Sequence, residues 1–120
     1  MNTTLWIPGV MPGMNEIIAQ CEKSPYAYGR LKKKYGHDVA LRALSQKFRI
    51  PGPAHFTIEC VEPNRKRDKD NVLAGALKIT FDALRHAKLL ENDGWAHVLS
   101  IIPLFTMDPA APGVRLTYRI

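Results

Sequence analysis

The chain has few cysteines and no long hydrophobic stretch, and both features narrow the kind of protein it can be. Its two cysteines, Cys21 and Cys60, provide neither a disulfide framework nor the paired spacing of a zinc site, so we expect a reducing compartment. No stretch of about 18 apolar residues occurs, and Pro8 and Pro12 interrupt an N-terminal segment that lacks the basic start of a signal peptide. The sequence therefore predicts neither export nor a membrane span, and it indicates a cytoplasmic protein.

Length and composition are typical of one globular domain. Apolar residues make up 46% of the chain and charged residues 23%, a balance that excludes a disordered protein. A chain of 120 residues fills one ordinary domain and leaves no room for a second core. Residues 1–120 are therefore predicted to form a single domain.

Positive charge is concentrated in one segment of the chain. The net charge is +6, and positions 22–49 hold eight Lys and Arg residues against two acidic ones, so the remainder of the chain is balanced. Such a cluster is expected in a protein that binds phosphate backbones. A solvated helix face that keeps the protein soluble would explain it equally well, so charge alone does not decide between the two.

The spacing of apolar residues predicts four strands and two main helices. The strands are predicted at residues 3–8, 54–62, 96–107 and 113–120. The main helices are predicted at about 29–48 and 71–87, and a shorter helical segment is expected from near Asn15 until Ser24 and Pro25 interrupt it. This order, β-α-β-α-β-β, predicts an α+β fold of the α/β-like kind, in which two main helices cover a mixed sheet of about four strands.

The stretch NRKRDKDN at positions 64–71 places two aspartates just before the second main helix. If the backbone there is extended, the side chains of Asp68 and Asp70 point the same way and converge on one point. Two carboxylates suit a hard divalent cation, above all Mg²⁺, which also accepts phosphate oxygens. The alternative is that Asp70 is an ordinary helix N-cap, worth about 1 kcal/mol, and that Asp68 is a solvated loop residue.

Four further residues, on the second main helix or just after it, are candidates for a functional or a packing role. Asp93 lies in the turn ENDG and is a third acidic candidate, although Asn-Asp-Gly is also ordinary turn chemistry. Asp82 is expected on the polar side of the helix, paired with Lys78. Gly75 is unfavourable in a helix by roughly 1 kcal/mol relative to Ala, which favours the close approach of a neighbouring backbone over that of DNA. Trp95 is assigned to the core, with stacking on an unpaired base as the alternative.

Taken together, these motifs carry a family resemblance. The run RKRDKDNVLAGALKITFDAL, preceded by FTIEC and followed by LLENDGWAHV, resembles the RusA family of Holliday junction resolvases. That family typically has a basic stretch, D-x-D-N, a helix ending in D-A-L, and an acidic turn. The opening LWIPGVMPGMN is also similar to the family's first strand, Pro-rich turn and asparagine, with Asn15 at the matching place. The resemblance covers nearly the whole chain and implies one RusA-like nuclease domain over residues 1–120.

The resemblance implies a crossover junction endodeoxyribonuclease that resolves four-way DNA junctions by paired symmetric cuts, with one site in each subunit of a homodimer. It also implies that Asp68, Asp70 and Asp93 are the catalytic residues and the ligands of Mg²⁺. The family's catalytic lysine, one helical turn after the second aspartate, is replaced here by Ala74. Lys78 is the candidate substitute, one turn further on and about 80° round the helix from Asp70.

The basic residues beside the aspartates, those of the first main helix, and Asn15 are expected to bind DNA. They are Arg30, Lys32, Lys33, Lys34, Arg65, Lys66, Arg67, Lys69 and Asn15. The departure from the family pattern at Ala74 leaves a second interpretation open, a non-catalytic, structure-selective DNA-binding protein on the same scaffold. The expected partners are branched DNA and a second copy of the chain, without a membrane, and a bacterial, phage or prophage source would fit.

Overall fold

A computed structural model describes residues 2–120, which form a four-stranded mixed β-sheet and three helices. The elements follow the chain in the order β1 (Thr4–Pro8), α1 (Met14–Lys23), α2 (Pro25–Ser45), β2 (Ala54–Glu62), α3 (Lys69–His86), β3 (Val98–Met107) and β4 (Gly113–Arg119). Across the sheet the strand order is β1-β4-β2-β3, in which β2 is parallel to β3 and β4 is antiparallel to both β1 and β2. The predicted α+β class and the mixed sheet of four strands are confirmed.

The helices of the N-terminal half differ in detail from the prediction. Two helices, α1 and α2, meet at Ser24, and α2 begins at Pro25 rather than near Gly29. Proline suits the first position of a helix, because an N–H at that position would have no partner within the helix and because the fixed φ of proline is already helical. Ser24 caps α2, since its hydroxyl oxygen accepts a hydrogen bond from the Ala27 N–H at 3.1 Å. Ser24 and Pro25 therefore end α1, as expected, and they also start α2.

The core lies between the three helices and one face of the sheet. The strand registers place the buried strand residues side by side on this face; they are Leu5, Ile7, Phe56, Ile58, Cys60, Val114, Leu116 and Tyr118. Helix α3 packs against them through Ala76, Ile79 and Leu84, each at most 2% exposed. The strand predicted at residues 54–62 is confirmed as β2. Among residues 2–120, none of the helices has the length and hydrophobicity that a membrane span requires.

A close backbone contact positions the start of α1 against α3. A Cβ atom on Gly75 would lie 2.1 Å from the carbonyl oxygen of Pro12 and 2.7 Å from the Cα of Gly13, so only glycine fits there. One turn earlier on α3, the Asn71 side-chain oxygen accepts a hydrogen bond from the Asn15 N–H at 2.7 Å. The predicted close approach of a neighbouring backbone at Gly75 is confirmed, and it brings the N-termini of α1 and α3 together.

Candidate functional site

The two aspartates of the D-x-D-N motif lie at the N-terminus of α3. Asp68 is the N-cap residue in extended conformation, but its side chain makes no capping hydrogen bond, and Asp70 lies in the first helical turn. Both are exposed. The expected cap at Asp70 is therefore wrong, because the helix begins at Lys69 instead of Asn71. For the same reason the two side chains do not share one extended segment, and their convergence does not follow from the backbone.

The third candidate, Asp93, lies against the middle of α3. It is exposed in the turn between α3 and β3 and lines an open depression of about 310 Å³ together with Ala74 and Lys78 of α3 and Ile101 of β3. Ala74 is one helical turn beyond Asp70, or about 6 Å along the helix axis. The fold thus places Asp93 beside the stripe of α3 that begins at Asp70, although the two residues are far apart along the chain.

The three aspartates do not form a ready-made metal site. Among residues 2–120, no group of three or more His, Cys, Asp or Glu side chains is arranged so that it could hold a metal ion. The donor chemistry nevertheless suits Mg²⁺, because this ion takes only one or two carboxylates and keeps several of its waters. The residue types fit the ion that the family resemblance implies, whereas a shared site requires the carboxylates to move closer together.

Lys78 is held by a buried carboxylate. Its Nζ lies 3.1 Å from Oδ2 of Asp82, which is only 7% exposed and is also 3.7 Å from Nζ of Lys32 and 4.0 Å from Arg85. The prediction that Asp82 lies on the polar side of the helix is wrong, but the predicted pair with Lys78 is present, and the surrounding cations offset the cost of burying a charge. The hydrogen bond and charge of Asp82 raise the pKa of Lys78, and Asp93 adds a smaller contribution. Lys78 therefore keeps its positive charge beside Asp93.

Arg67 binds protein groups on three sides. Its Nε and Nη2 donate to the two carboxylate oxygens of Glu62, and its Nη1 donates to the Met11 carbonyl oxygen and to Glu16, all at 2.9 Å. The hydrogen bond to Glu62 is the main reason that the pKa of Arg67 is raised. These contacts fasten the loop before α3 to the end of β2 and the start of α1. The structure gives Arg67 an internal clamping role that was not among the sequence expectations.

The remaining residues predicted to bind DNA occupy two surfaces and a helix start. Arg65, Lys66 and Lys69 are exposed around the N-terminus of α3, and we call them the basic loop. Four exposed basic residues of α2, which we call the α2 basic segment, are Arg30, Lys32, Lys33 and Lys34. Asn15 is exposed in the first turn of α1, where the α3 residue Asn71 binds its main chain. Asn71 is thus a structural neighbour of the site that the sequence reasoning did not single out, although it is the N of D-x-D-N.

Trp95 is almost entirely outside the core. Its side chain is 99% exposed, so its assignment to the core is wrong. It follows the turn that carries Asp93 and precedes β3, which is an edge strand of the sheet. An indole ring exposed this fully, two residues from a candidate acidic ligand, is available for contact with another molecule.

No protein-family model matches the chain, and no curated protein matches it significantly. The resemblance to the RusA family therefore depends on the motifs in the sequence.

Proposed function

We propose that the protein is a Mg²⁺-dependent endonuclease that resolves four-way DNA junctions, as the resemblance to the RusA family implies. The observation that supports this proposal most is the position of Asp93, which lies against the same stripe of α3 that starts at Asp70 and carries Lys78. The acidic and basic residue types needed for phosphodiester hydrolysis thus come from separate parts of the chain to one side of one helix.

Each residue of the proposed site has a distinct role. Asp68, Asp70 and Asp93 would hold Mg²⁺. When bound, this ion supplies charge neutralisation at the scissile phosphate and an attacking water that ionises more easily. Lys78, kept protonated by Asp82, would place a positive charge where negative charge develops in the transition state, and Asp82 would act as a positioning residue.

The surrounding surface is suited to DNA. The basic loop lies next to the aspartates at the start of α3, where its ammonium and guanidinium groups would contact the phosphates that flank the cut. Trp95, 99% exposed, offers a flat ring on which an unpaired base at a junction could stack. Because the carboxylates are not gathered in this structure, the proposal requires the exposed turn that carries Asp93 to move towards Asp70 when metal and DNA bind.

We also propose a second candidate function, a non-catalytic protein that binds branched DNA on the same scaffold. Two observations favour it over the enzyme. Ala74 stands where the RusA family has a lysine, and the described part of the chain, residues 2–120, holds no group of three acidic or other ligand side chains arranged for a metal. In this case the carboxylates of Asp68 and Asp70 would serve only to stabilise the positive end of the α3 dipole, by about 0.3–1 kcal/mol each.

The two functions can be separated with a synthetic four-way junction, with and without Mg²⁺. The informative variant is Asp70→Asn, and its matched control is Asp108→Asn, which removes the same charge from an exposed aspartate in the loop between β3 and β4. The enzyme predicts paired symmetric nicks that require the metal, a loss of about 100-fold or more in Asp70→Asn, and no change in Asp108→Asn. Asp68→Asn and Asp93→Asn should lose cleavage in the same way and retain junction binding.

Other outcomes have equally clear meanings. Junction binding without cleavage in Mg²⁺ or Mn²⁺ would support the binding protein, and binding should weaken as salt rises for either function. Cleavage that survives in a variant lacking all three aspartates would refute the assigned site. A protein that neither binds nor cuts junctions would refute both proposals.

A further inference from the structure

Helices α2 and α3 do not close against each other along their whole length. Between them lies an open cleft of about 470 Å³, a volume within the range of small-molecule sites in proteins. The apolar part of its lining consists of Ala40 from α2 and Ile79, Ala83 and Ala87 from α3. None of the three candidate metal ligands lines this cleft, so it is a separate feature of the surface.

Two glycines of α2 keep the cleft open. Gly29 and Gly36 both line it, and residues seven apart lie within about 20° of each other on one face of a helix. Glycine is among the least favourable residues inside a helix, and packing requires it at neither position. A Cβ atom on Gly36 would lie at an ordinary 3.7 Å from the Cβ of Ala83, and one on Gly29 would meet no atom of residues 2–120 within 4 Å. Unlike Gly75, these two glycines therefore provide space rather than a close contact.

The cleft carries a surplus of positive charge. Within residues 2–120, the one carboxylate that lines it is Asp82, which is only 7% exposed and lies 3.1 Å from Nζ of Lys78. Lys78 lines the Asp93 depression instead of the cleft, so Asp82 is neutralised from outside. Lys32 and Lys33 remain as cations inside the cleft. Two ammonium groups beside an apolar surface suit a ligand that has an anionic group, such as a phosphate, at one end.

Asp82 also offers an acceptor to a ligand. Its Oδ2 makes the contacts with the two lysines, whereas its Oδ1 is 4.0 Å from the Arg85 guanidinium, beyond the length of a hydrogen bond. A ligand hydroxyl could donate to this oxygen, and a hydrogen bond to an ionised acceptor is stronger than one between neutral groups. His37 and His86 line the same cleft, and their ring nitrogens can donate or accept further hydrogen bonds.

We propose that the cleft between α2 and α3 binds a nucleoside monophosphate. Its phosphate would contact Lys32 and Lys33, and a ribose hydroxyl would donate to Oδ1 of Asp82. The base would lie on the apolar lining beside Gly36, where no side chain of α2 intervenes. These groups are in the right order along the cleft, because Lys32 is next to Asp82 and Gly36, one turn further along α2, is next to Ala83. The proposal goes beyond DNA cleavage and does not depend on it.

Titration of the isotope-labelled full chain with AMP, followed by the chemical shifts of its amides, tests the ligand directly. AMP should shift amides within residues 29–40 of α2 and 79–87 of α3, and it should saturate with a dissociation constant below about 1 mM. Adenosine and inorganic phosphate should each bind at least about 10-fold more weakly, because each lacks part of what the cleft contacts. No saturable binding at about 10 mM AMP, or equal affinities for AMP and phosphate, would overturn the proposal.

Filling the cleft tests its location. Gly36→Leu places a side chain in the space meant for the base and should raise the dissociation constant of AMP about 10-fold or more. Gly36→Ala is the control for folding, because its Cβ fits beside Ala83, and both variants should keep the circular dichroism spectrum of the wild type. A folded Gly36→Leu that binds AMP as tightly as the wild type would refute the site.

The phosphate contact is tested at Lys32, which is exposed, so that its replacement should leave the fold intact. Lys32→Gln should weaken AMP binding about 10-fold or more, and Lys32→Arg should retain it. The matched control is Lys23→Gln, which removes the same charge from an exposed residue at the end of α1 and should bind AMP like the wild type. Equal losses in Lys32→Gln and Lys23→Gln would mean general charge attraction and would contradict a defined site in the cleft.

Discussion

Replacing Gly75 with alanine should reverse the effect that helix propensity alone predicts. Alanine is favoured over glycine inside a helix by about 1 kcal/mol, so propensity predicts that Gly75→Ala stabilises α3. In the folded protein, however, the added Cβ would lie 2.1 Å from the Pro12 carbonyl oxygen and 2.7 Å from the Gly13 Cα. Both are backbone atoms, so rotating a side chain cannot relieve the overlap.

The cost of this overlap can be worked out from the contacts around it. The loop through Pro12 would have to move by roughly 1 Å to restore ordinary contact, and overpacking of this kind costs about 1–3 kcal/mol. The movement would also strain the hydrogen bond between Asn15 and Asn71 and the one from Arg67 to the Met11 carbonyl, each worth about 1 kcal/mol. After subtracting the gain in helix propensity, Gly75→Ala should lower the free energy of unfolding by about 2 kcal/mol.

Urea denaturation followed by circular dichroism measures this difference. The matched control is Gly29→Ala in α2, where an added Cβ would meet no atom within 4 Å. It should raise the free energy of unfolding by up to about 1 kcal/mol, so the two variants should shift the midpoint in opposite directions. If Gly75→Ala is as stable as the wild type or more stable, the close contact between α3 and the loop before α1 does not exist as described.

Three further predictions concern charged and titratable groups. Arg67→Lys should lower the free energy of unfolding by about 1–3 kcal/mol, because lysine cannot keep the paired hydrogen bonds to the Glu62 carboxylate. In the same urea titration, the control Arg65→Lys, at an exposed neighbouring position, should change the free energy of unfolding little. Burial raises the pKa of the Cys60 thiol from 9.0 to about 11. The pKa of this thiol is higher in the folded than in the unfolded protein, so the stabilisation from the buried neutral thiol is complete below pH 9.0 and is lost as the pH rises through about 11. The free energy of unfolding of the wild type should therefore lose about 2 kcal/mol relative to that of Cys60→Ala between about pH 8 and 11. Asp82→Asn should lower the pKa of Lys78, since Asp82 is the main cause of its rise; an unchanged pKa in an NMR titration of the Lys78 side chain would contradict the ion pair.

The chemistry of the candidate site was more predictable from the sequence than its geometry. The spacing of Asp68 and Asp70, the acidic turn at Asp93 and the surrounding basic residues are local features, and a resemblance to a family can be built on them. Their relative positions depend on where α3 begins and how the turn after it packs, and a shift of the helix start to Lys69 changes how the first two carboxylates are directed.

Burial is the property that sequence reasoning misjudged in both directions. Asp82 was expected on the polar side of its helix but is buried, where it pairs with cations of α2 and α3. Trp95 was expected in the core but is 99% exposed. A carboxylate is buried only where other elements supply partners, and an aromatic ring is buried only where something covers it. Neither condition can be read from the residue type or from its neighbours in the chain.

The sequence by itself determined the class of fold, the β2 strand, and the need for a close backbone approach at Gly75, because alternation, helical periodicity and glycine placement act over a few residues. Only the tertiary structure decided that a cleft stays open between α2 and α3, that Arg67 joins three segments, and that Asp93 faces α3. Each of these depends on contacts between residues far apart in the chain, which no local pattern specifies.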